Sequence, residues 1–302
     1  MNDLQATSIP KVYLLDAGLK GVEQYTAVYL LATQEPAIVD TAFSYSAPKI
    51  LSGLAELGIA PQELRYIVLT HIHMDHAGGA GVLAQACPNA RVVVHETGAK
   101  FLAEPAKLVQ SVRRAVGTLF DRYGEMVPIP MERMDTVRGG ESLALEYEFT
   151  LRFIYAPGHA PHQCCPFIPE HGGLFVADAC GIYRKHAEQM SPTTAPPAFL
   201  LGESLETLNE LKALQPKTLL FPHYGAYDEP QLLDRYADYL TRWVAEVERT
   251  YDTMQDEEAV VHHFVRKLGP TYRGYYDTEM GEQEIEMNTR GVLLYLKRQR
   301  LG

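Results

Sequence analysis

The chain has 302 residues, of which 46% are hydrophobic and 22% are charged, and its formal net charge is −11. This length allows one large domain or two modest ones with a sizeable core, and the composition is that of a globular protein. The acidic balance argues against non-specific binding to the phosphates of nucleic acids, so we expect no nucleic-acid partner.

The absence of targeting signals and the cysteine pattern both favour a cytoplasmic protein. No apolar run approaches the roughly 18 residues that cross a bilayer, and Met1–Lys11 lacks the basic and apolar regions of a secretory signal. The cysteines, Cys87, Cys164, Cys165 and Cys180, show no C-x-x-C spacing. We therefore expect reduced thiols, a cytoplasmic location and no membrane partner.

The larger, N-terminal part of the chain mixes strand and helix patterns. Short apolar runs predict strands at Val12–Leu15, Ala27–Leu31, Ala37–Asp40, Tyr66–Thr70, Arg91–Val94, Leu151–Tyr155, Leu174–Ala177 and Thr218–Phe221. Helical spacing predicts helices at Ser46–Leu57, Gly78–Ala86, Pro105–Phe120 and Glu203–Leu214.

The C-terminal part has a different character. From Glu229 to about Leu268 the sequence has helical spacing and almost no strand pattern. We predict a Tyr- and Gly-rich loop over Pro270–Gly281 and a last helix over Glu284–Arg300. The predicted domains are therefore residues 1–228, which hold the strands, and a helical extension, residues 229–302.

One motif at the end of a predicted strand carries the chemistry. The sequence THIHMDHAGG places His71, His73, Asp75 and His76 within six positions. Alternate residues of an extended segment point the same way, so His71 and His73 can share one ion. The turn that follows would direct Asp75 and His76 at a second ion. Imidazole and carboxylate ligands together suit zinc, iron or manganese.

Three further candidate ligands each follow a predicted strand downstream. His159 follows Leu151–Tyr155, Asp178 ends a strand, and His223 follows Thr218–Phe221. A lone histidine or aspartate at such a place is usually only a polar loop residue. The clustered motif favours a ligand role for these three residues, because one short motif cannot complete two metal sites and further ligands are needed.

These seven residues, in this order, resemble the metallo-β-lactamase fold superfamily, which includes glyoxalase II, quorum-quenching lactonases and persulfide dioxygenases. The resemblance covers about residues 10 to 225 and implies an α/β protein, an αββα sandwich with the site at one edge of two sheets. It implies that His71, His73 and His159 bind a first metal, that Asp75, His76 and His223 bind a second, and that Asp178 bridges both. Ala177 departs from the family pattern, which usually has glycine before the bridging aspartate.

The resemblance implies a dinuclear hydrolase that cleaves an ester, thioester or lactone by attack of a metal-bound hydroxide. Two divalent ions are the expected cofactors, with zinc first and iron or manganese as alternatives. The segments PGHAPHQ, ADACGIY and SPTTAPPAF resemble hydrolase-like members on the glyoxalase II and lactonase side. A mononuclear iron persulfide dioxygenase is the alternative activity, and a metal-stabilised binding protein is a third.

Other residues are candidates for supporting roles. Asp75 and Asp178 are expected to be catalytic as well as metal-binding, while His162 and Tyr183 are expected to act beside the metals. Tyr224, beside His223, is a further candidate for the role of Tyr183. Tyr183, Phe199, Trp243 and the tyrosines of residues 271–276 are candidates for a pocket wall. The expected partner is a small-molecule substrate, and a homodimer is an open alternative.

Overall fold

The computed structural model describes residues 4–20, 22–272 and 277–301. The described chain forms two compact units that interleave along the sequence. The first comprises Met1–Ala156, His162–Ala177 and Leu211–Pro230, and the second comprises Pro157–Pro161, Asp178–Glu210 and Gln231–Gly302, as far as these ranges are described. The division at residue 228 stays a prediction.

A seven-stranded mixed sheet forms one half of the first unit. Its strands follow chain order: β1 (Leu4–Ala6), β2 (Val12–Asp16), β3 (Ala27–Leu31), β4 (Ala37–Val39), β5 (Tyr66–Val68), β6 (Arg91–His95) and β7 (Met134–Val137). The pairs from β1 to β4 are antiparallel, and those from β4 to β7 are parallel. The parallel strands need crossover connections, and helices supply them.

The helices of this unit lie between the parallel strands. They are α1 (Ala47–Glu56), α2 (Met74–Ala77), α3 (Ala80–Ala86), α4 (Glu96–Ala103), α5 (Ala106–Val116) and α6 (Phe120–Tyr123). Helix α1 lies close against the sheet at Gly53, where an added Cβ would come 3.0 Å from Leu30 and 3.2 Å from Leu15. Ser46 stands at its N-cap position, but its hydroxyl donates to the carbonyl oxygen of Ala17.

A second sheet forms the other half of this unit. Its order is β15-β14-β11-β10-β9-β8, with β8 (Ser142–Glu146), β9 (Phe149–Tyr155), β10 (Cys164–Ile168), β11 (Gly173–Phe175), β14 (Thr218–Phe221) and β15 (Gly225–Tyr227). Alternate residues of both sheets, such as Leu14, Tyr29, Leu151 and Phe175, form one buried apolar cluster. The Tyr29 hydroxyl lies 2.9 Å from the carbonyl oxygen of Phe221, which ties the two sheets together.

The second unit contains a short hairpin and long helices. The hairpin pairs β12 (Ile182–Arg184) with β13 (Gln189–Ser191). After α7 (Leu201–Ala213), the helices α8 (Leu232–Met254), α9 (Glu257–Tyr272) and α10 (Thr278–Leu301) pack against one another. Among the described residues, no helix is both long and apolar enough to cross a membrane.

The predicted loop over Pro270–Gly281 is wrong over most of its length. Helix α9 continues through Pro270 to Tyr272, and α10 already begins at Thr278. Tyr272 is buried, so tertiary packing stabilises a last turn that the local sequence disfavours. Residues 273–276 of this loop lie outside the described residues. The two mixed sheets, the helices and the helical C-terminal region confirm the predicted fold class.

Candidate metal centre

The structure distributes the seven predicted ligands over both units. The first unit holds His71, His73, Asp75, His76 and His223, and the second holds His159 and Asp178.

The motif histidines follow β5 directly. His71 is fully buried, and His73 occupies the N-cap position of α2 with extended backbone. The Nε2 atom of His71 lies 3.0 Å from Nδ1 of His73, and the two rings are nearly perpendicular. The extended segment therefore brings the two nitrogens together, as the alternation of side chains predicts.

The short helix α2 presents the next two motif residues to His223. The ligand atoms of Asp75, His76 and His223 all lie within 4.8 Å of one another. Oδ2 of Asp75 is 3.6 Å from Nε2 of His76 and 3.5 Å from Nε2 of His223. The Asp75 side chain is 21% exposed, whereas those of His76 and His223 are 0% and 5% exposed. Asp75 is therefore the member of this group that water reaches most easily.

A carboxylate that the sequence analysis missed orients His76. Asp40 directly follows β4, is buried and has a positive φ of 61°. Its Oδ2 lies 2.9 Å from Nδ1 of His76, and its Oδ1 accepts from the Thr70 amide at 2.8 Å. Asp40 thus joins the end of β5 to the ligand motif. The pattern that could have found it is the one used for His159 and Asp178, a polar residue at the end of an apolar strand.

The two ligands of the second unit contact each other. Nε2 of His159 lies 3.3 Å from Oδ2 of Asp178, and both side chains are buried. Nδ1 of His159 lies 2.7 Å from the carbonyl oxygen of Thr193. Asp178 belongs to a 3-10 turn that follows β11, and Ala177 before it has a φ of 47°. The positive φ explains why the family usually has glycine at position 177.

The spacing of these atoms is that of ligands around a shared ion. Two ligands about 2.0–2.1 Å from a tetrahedral zinc lie roughly 3.3–3.4 Å apart. The observed separations between candidate ligand atoms are 3.0, 3.3, 3.5 and 3.6 Å. The donor atoms are therefore already close to the geometry that a divalent metal requires.

The hydrogen bonds of three histidines indicate which ring nitrogen is available to bind a metal. Nδ1 of His76, His159 and His223 each faces an oxygen, respectively of Asp40, Thr193 and Tyr25. A carboxylate or a carbonyl oxygen only accepts, so Nδ1 carries a proton, and in the neutral tautomer Nε2 is the atom with the lone pair. Each of these Nε2 atoms lies near a carboxylate oxygen. A divalent cation between such an imidazole and such a carboxylate would be bound by both, and the donor set therefore fits a metal.

His162, a predicted supporting residue, lies beside the motif histidines. Its ring is parallel to that of His71, with centroids 6.1 Å apart, and nearly perpendicular to that of His73 at 5.6 Å. Its Nδ1 is 3.4 Å from the backbone nitrogen of Ile72. His162 is therefore close enough to influence the motif, and its role stays a prediction.

The candidates for a pocket wall are engaged in packing. Tyr183 is buried, with the guanidinium of Arg235 5.4 Å from its ring centroid. Phe199 is buried against Tyr295, and Trp243 packs edge-on against Phe264. The Tyr224 hydroxyl accepts from Gln5, and Tyr272 is buried, whereas Tyr275 and Tyr276 lie outside the described residues. The catalytic role of Tyr183 and the wall itself stay predictions.

The four cysteines are free, as predicted, and all of them are buried. Burial raises the pKa of the Cys87 thiol to about 11 and that of Cys164 to about 12. Burial also raises the pKa of Cys180. Such thiols stay protonated at neutral pH and are poor nucleophiles and poor metal ligands.

Comparison with known proteins gives one family match and several relatives. A sequence profile of the metallo-beta-lactamase superfamily matches residues 21–223. A metallo-beta-lactamase fold-containing protein of Sulfurisphaera tokodaii is 32% identical over 178 residues, 58% of this chain and 65% of that protein. An N-acyl homoserine lactonase of Bacillus cereus is 25% identical over 223 residues, 65% of this chain and 79% of the lactonase. A Bacillus subtilis protein is 28% identical over 145 residues, 48% of this chain and 57% of that protein. The chain thus spans less than two thirds of the length of these Sulfurisphaera tokodaii and Bacillus subtilis relatives.

Two solved structures share the fold over almost the whole chain. An archaeal metallo-beta-lactamase superfamily protein from Sulfolobus tokodaii has a TM-score of 0.69 and 23% identity, covering 94% of this chain and 99% of that one. A metallo-beta-lactamase family protein from Thermus thermophilus has a TM-score of 0.73 and 24% identity, covering 97% of this chain and 95% of that one. At these identities the likeness concerns the fold alone.

Proposed function

The chain belongs to the metallo-beta-lactamase superfamily, and from this premise we propose that it is a dinuclear metal-dependent hydrolase of an ester, thioester or lactone bond. The observation that carries the proposal is the set of imidazole–carboxylate contacts at 3.3, 3.5 and 3.6 Å. In each of these rings Nδ1 already faces an acceptor oxygen, so that Nε2 is the nitrogen left to bind a metal.

Two ligand sets would hold the two ions. His71, His73 and His159 would bind the first, and Asp75, His76 and His223 the second. Asp178 would be shared by both ions, and its negative charge would reduce the repulsion between two neighbouring cations. Zinc suits this mixture of imidazole and carboxylate best, and iron or manganese would also fit.

Bound divalent ions supply a water of lowered pKa and a Lewis acid for a carbonyl oxygen. The residues of the chain hold that chemistry in place. Asp40 and Tyr25 keep the Nδ1 protons of His76 and His223, so that each Nε2 stays a ligand atom. Asp75 holds its partly exposed carboxylate beside Nε2 of both His76 and His223. His162 would orient the substrate or the leaving group beside His71.

The substrate class follows from the relatives only by analogy. Proteins named N-acyl homoserine lactonase, at 25% and 26% identity, and glyoxylase B2, at 26% identity, are among them. Their names support a small carbonyl substrate for this chain. The acidic chain, with its net charge of −11, agrees with a small-molecule substrate better than with a nucleic acid.

A substrate panel on protein reconstituted with zinc, manganese or iron tests the proposal. We expect hydrolysis of a lactone or a thioester, and little of phosphodiesters or β-lactams. The Asp75→Ala/His76→Ala double variant should lose turnover by orders of magnitude, while Asp135→Ala, which removes a partly exposed carboxylate paired with Arg91, should retain it. No carbonyl hydrolysis with any metal would refute the proposal. Oxidation of a persulfide with one iron per chain would establish the dioxygenase alternative instead.

A further inference from the structure

Thr193 contacts both metal-ligand candidates of the second unit. It follows β13, and its carbonyl oxygen accepts from Nδ1 of His159 at 2.7 Å. Its hydroxyl donates to the backbone carbonyl of Asp178, also at 2.7 Å. One residue therefore sets the tautomer and ring direction of the histidine and the backbone position of the aspartate.

Tyr236 of helix α8 holds Thr193 from the other side. The Tyr236 oxygen lies 3.2 Å from the backbone nitrogen of Thr193 and 3.1 Å from its Oγ1. Because the Thr193 hydroxyl donates to Asp178, it accepts from the Tyr236 hydroxyl, and the Tyr236 oxygen accepts from the Thr193 amide. Every proton in this chain of bonds has an acceptor. Burial raises the pKa of Tyr236, so the hydroxyl keeps the proton that it donates.

The backbone of the next residue is also held by the C-terminal helices. The Thr194 amide donates to Oδ1 of Asn288 at 2.6 Å, and the indole of Trp243 donates to the Thr194 hydroxyl at 3.2 Å. Gly291 of α10 allows close approach, because an added Cβ there would lie 1.6 Å from the Thr194 carbonyl oxygen. The segment that supports His159 is thus held by hydrogen bonds and close packing against α8 and α10.

We infer that Tyr236 is a positioning residue for metal binding: through Thr193 it holds His159 and Asp178 in the orientation that binds an ion. This inference rests on the proposed function, which makes His159 and Asp178 ligands. The inference gives helix α8 a role in the metal centre, although this helix contains none of the candidate ligands. Hydrogen bonds that orient metal ligands typically change metal affinity by about 10- to 100-fold.

The test compares Tyr236→Phe with Tyr239→Phe in the full chain. Tyr239 lies one turn further along α8, its ring is stacked 6.3 Å from that of Tyr236, and its pKa is also raised by burial. Both variants lose a phenol hydroxyl from the same helix. Zinc affinity is measured by competition with a chelator, the metal environment by the absorption spectrum of the cobalt-substituted protein, and the apo protein by its thermal unfolding.

We expect Tyr236→Phe to bind at least one zinc roughly 10-fold more weakly, the lower end of the range for direct partners of a ligand because Tyr236 acts through Thr193, and to alter the cobalt spectrum. Tyr239→Phe should bind zinc as the wild type does, even if its apo protein unfolds at a lower temperature. Unchanged zinc affinity in Tyr236→Phe, or an equal loss in both variants, would overturn the inference.

A second pair of variants keeps the inference testable if Tyr236→Phe does not fold. Thr193→Val keeps the backbone carbonyl that faces His159 but removes the hydroxyl, and Thr193→Ser restores a hydroxyl. We expect the valine variant to lose zinc affinity and the serine variant to recover most of it, and equal affinities would contradict the inference. A wild type that binds two metals and hydrolyses a substrate while these variants bind normally refutes the inference alone. A wild type that binds no metal refutes the proposed function and the inference together.

Discussion

The clustered candidate ligands of the segment His71–His76 and the dispersed candidates His159 and Asp178 are held in place by different means. The cluster takes its geometry from its own short segment, and Asp40 supports it from outside that segment. The dispersed pair stands on two separate turns and is oriented by Thr193, which Tyr236 holds in turn. Ligands that are close in sequence can thus rely on local backbone, whereas isolated ligands depend on packing between distant elements.

The largest expected effect concerns the dispersed region. Asp178→Asn removes the charge that would bridge the two ions, so metal content and hydrolysis should fall together, with turnover lost by orders of magnitude. Elemental analysis and a rate measurement on the same sample check this. Full metal occupancy with full activity in the variant would rule out the bridging role.

A smaller loss is expected from the support of the clustered region. Asp40→Asn replaces a carboxylate that holds the Nδ1 proton of His76, so zinc at the second site should bind roughly 10- to 100-fold more weakly. Chelator competition measures this, with Asp135→Asn as the control for an exposed carboxylate. Wild-type zinc affinity in Asp40→Asn would contradict the role assigned to Asp40 in orienting His76.

Metal removal should affect both regions at once through folding. A ligand at about 1,000 times its dissociation constant stabilises the folded state by about 4 kcal/mol. At about 2–4 °C per kcal/mol for domains of this order of size, chelation should lower Tm by roughly 8–16 °C. Thermal unfolding with and without chelator checks this. An unchanged Tm would contradict tight metal binding by the folded chain, because any ligand that binds only the folded state raises Tm.

His95 offers a buried histidine outside the predicted ligand sets. Desolvation lowers its pKa from the usual 6.5, and its Nδ1 caps helix α4 by accepting from Thr97. The unfolded chain therefore takes up the proton more readily, and stability is fully present above pH 6.5 and falls as the pH drops below it. His95→Asn keeps a capping side chain without this titration, so its unfolding free energy should fall less between pH 7 and pH 5. An identical pH dependence would contradict this account.

The smallest expected effect lies at the turn before Asp178. Ala177 has a φ of 47°, a conformation that disfavours alanine by about 1–2 kcal/mol. Ala177→Gly relieves this strain but loses a buried methyl group and makes the unfolded chain more flexible by about 0.4–1 kcal/mol, so its unfolding free energy should change little. The control Ala179→Gly, also buried and in the same turn, has the same losses without the relief and should be about 1–2 kcal/mol less stable than Ala177→Gly. Denaturant unfolding measures both, and equal destabilisation of the two variants would contradict the argument.

The fold class was predictable from the sequence, and candidate ligands could be chosen from it, because both rest on local patterns. Apolar runs that end in His, Asp or His-rich turns indicate strands and candidate ligands within a few residues of each other. Asp40 lies 36 residues from His76, and Tyr236 lies 43 residues from Thr193. The end of an apolar strand could have marked Asp40 as a candidate, but no spacing rule predicts which residue it contacts, so both contacts became visible only when the chain was folded.

The errors have the same origin. Pro270 and the glycines and tyrosines near it favour a loop locally, yet α9 extends to Tyr272 because that ring is buried in the second unit. Strand β1 was missed, because Leu4–Ala6 has too few apolar residues for a strand pattern and is recruited by pairing with β2. Tertiary burial and edge pairing outweighed local propensity at both places.

The central claim is that two divalent ions bind to this chain, and the most direct test is the metal-to-protein ratio after reconstitution and exhaustive dialysis. Elemental analysis of the wild-type chain should give about two zinc or manganese ions per chain, because the sequence offers candidate ligand sets for two ions. One ion per chain, whether zinc or iron, or none at all, would contradict the account.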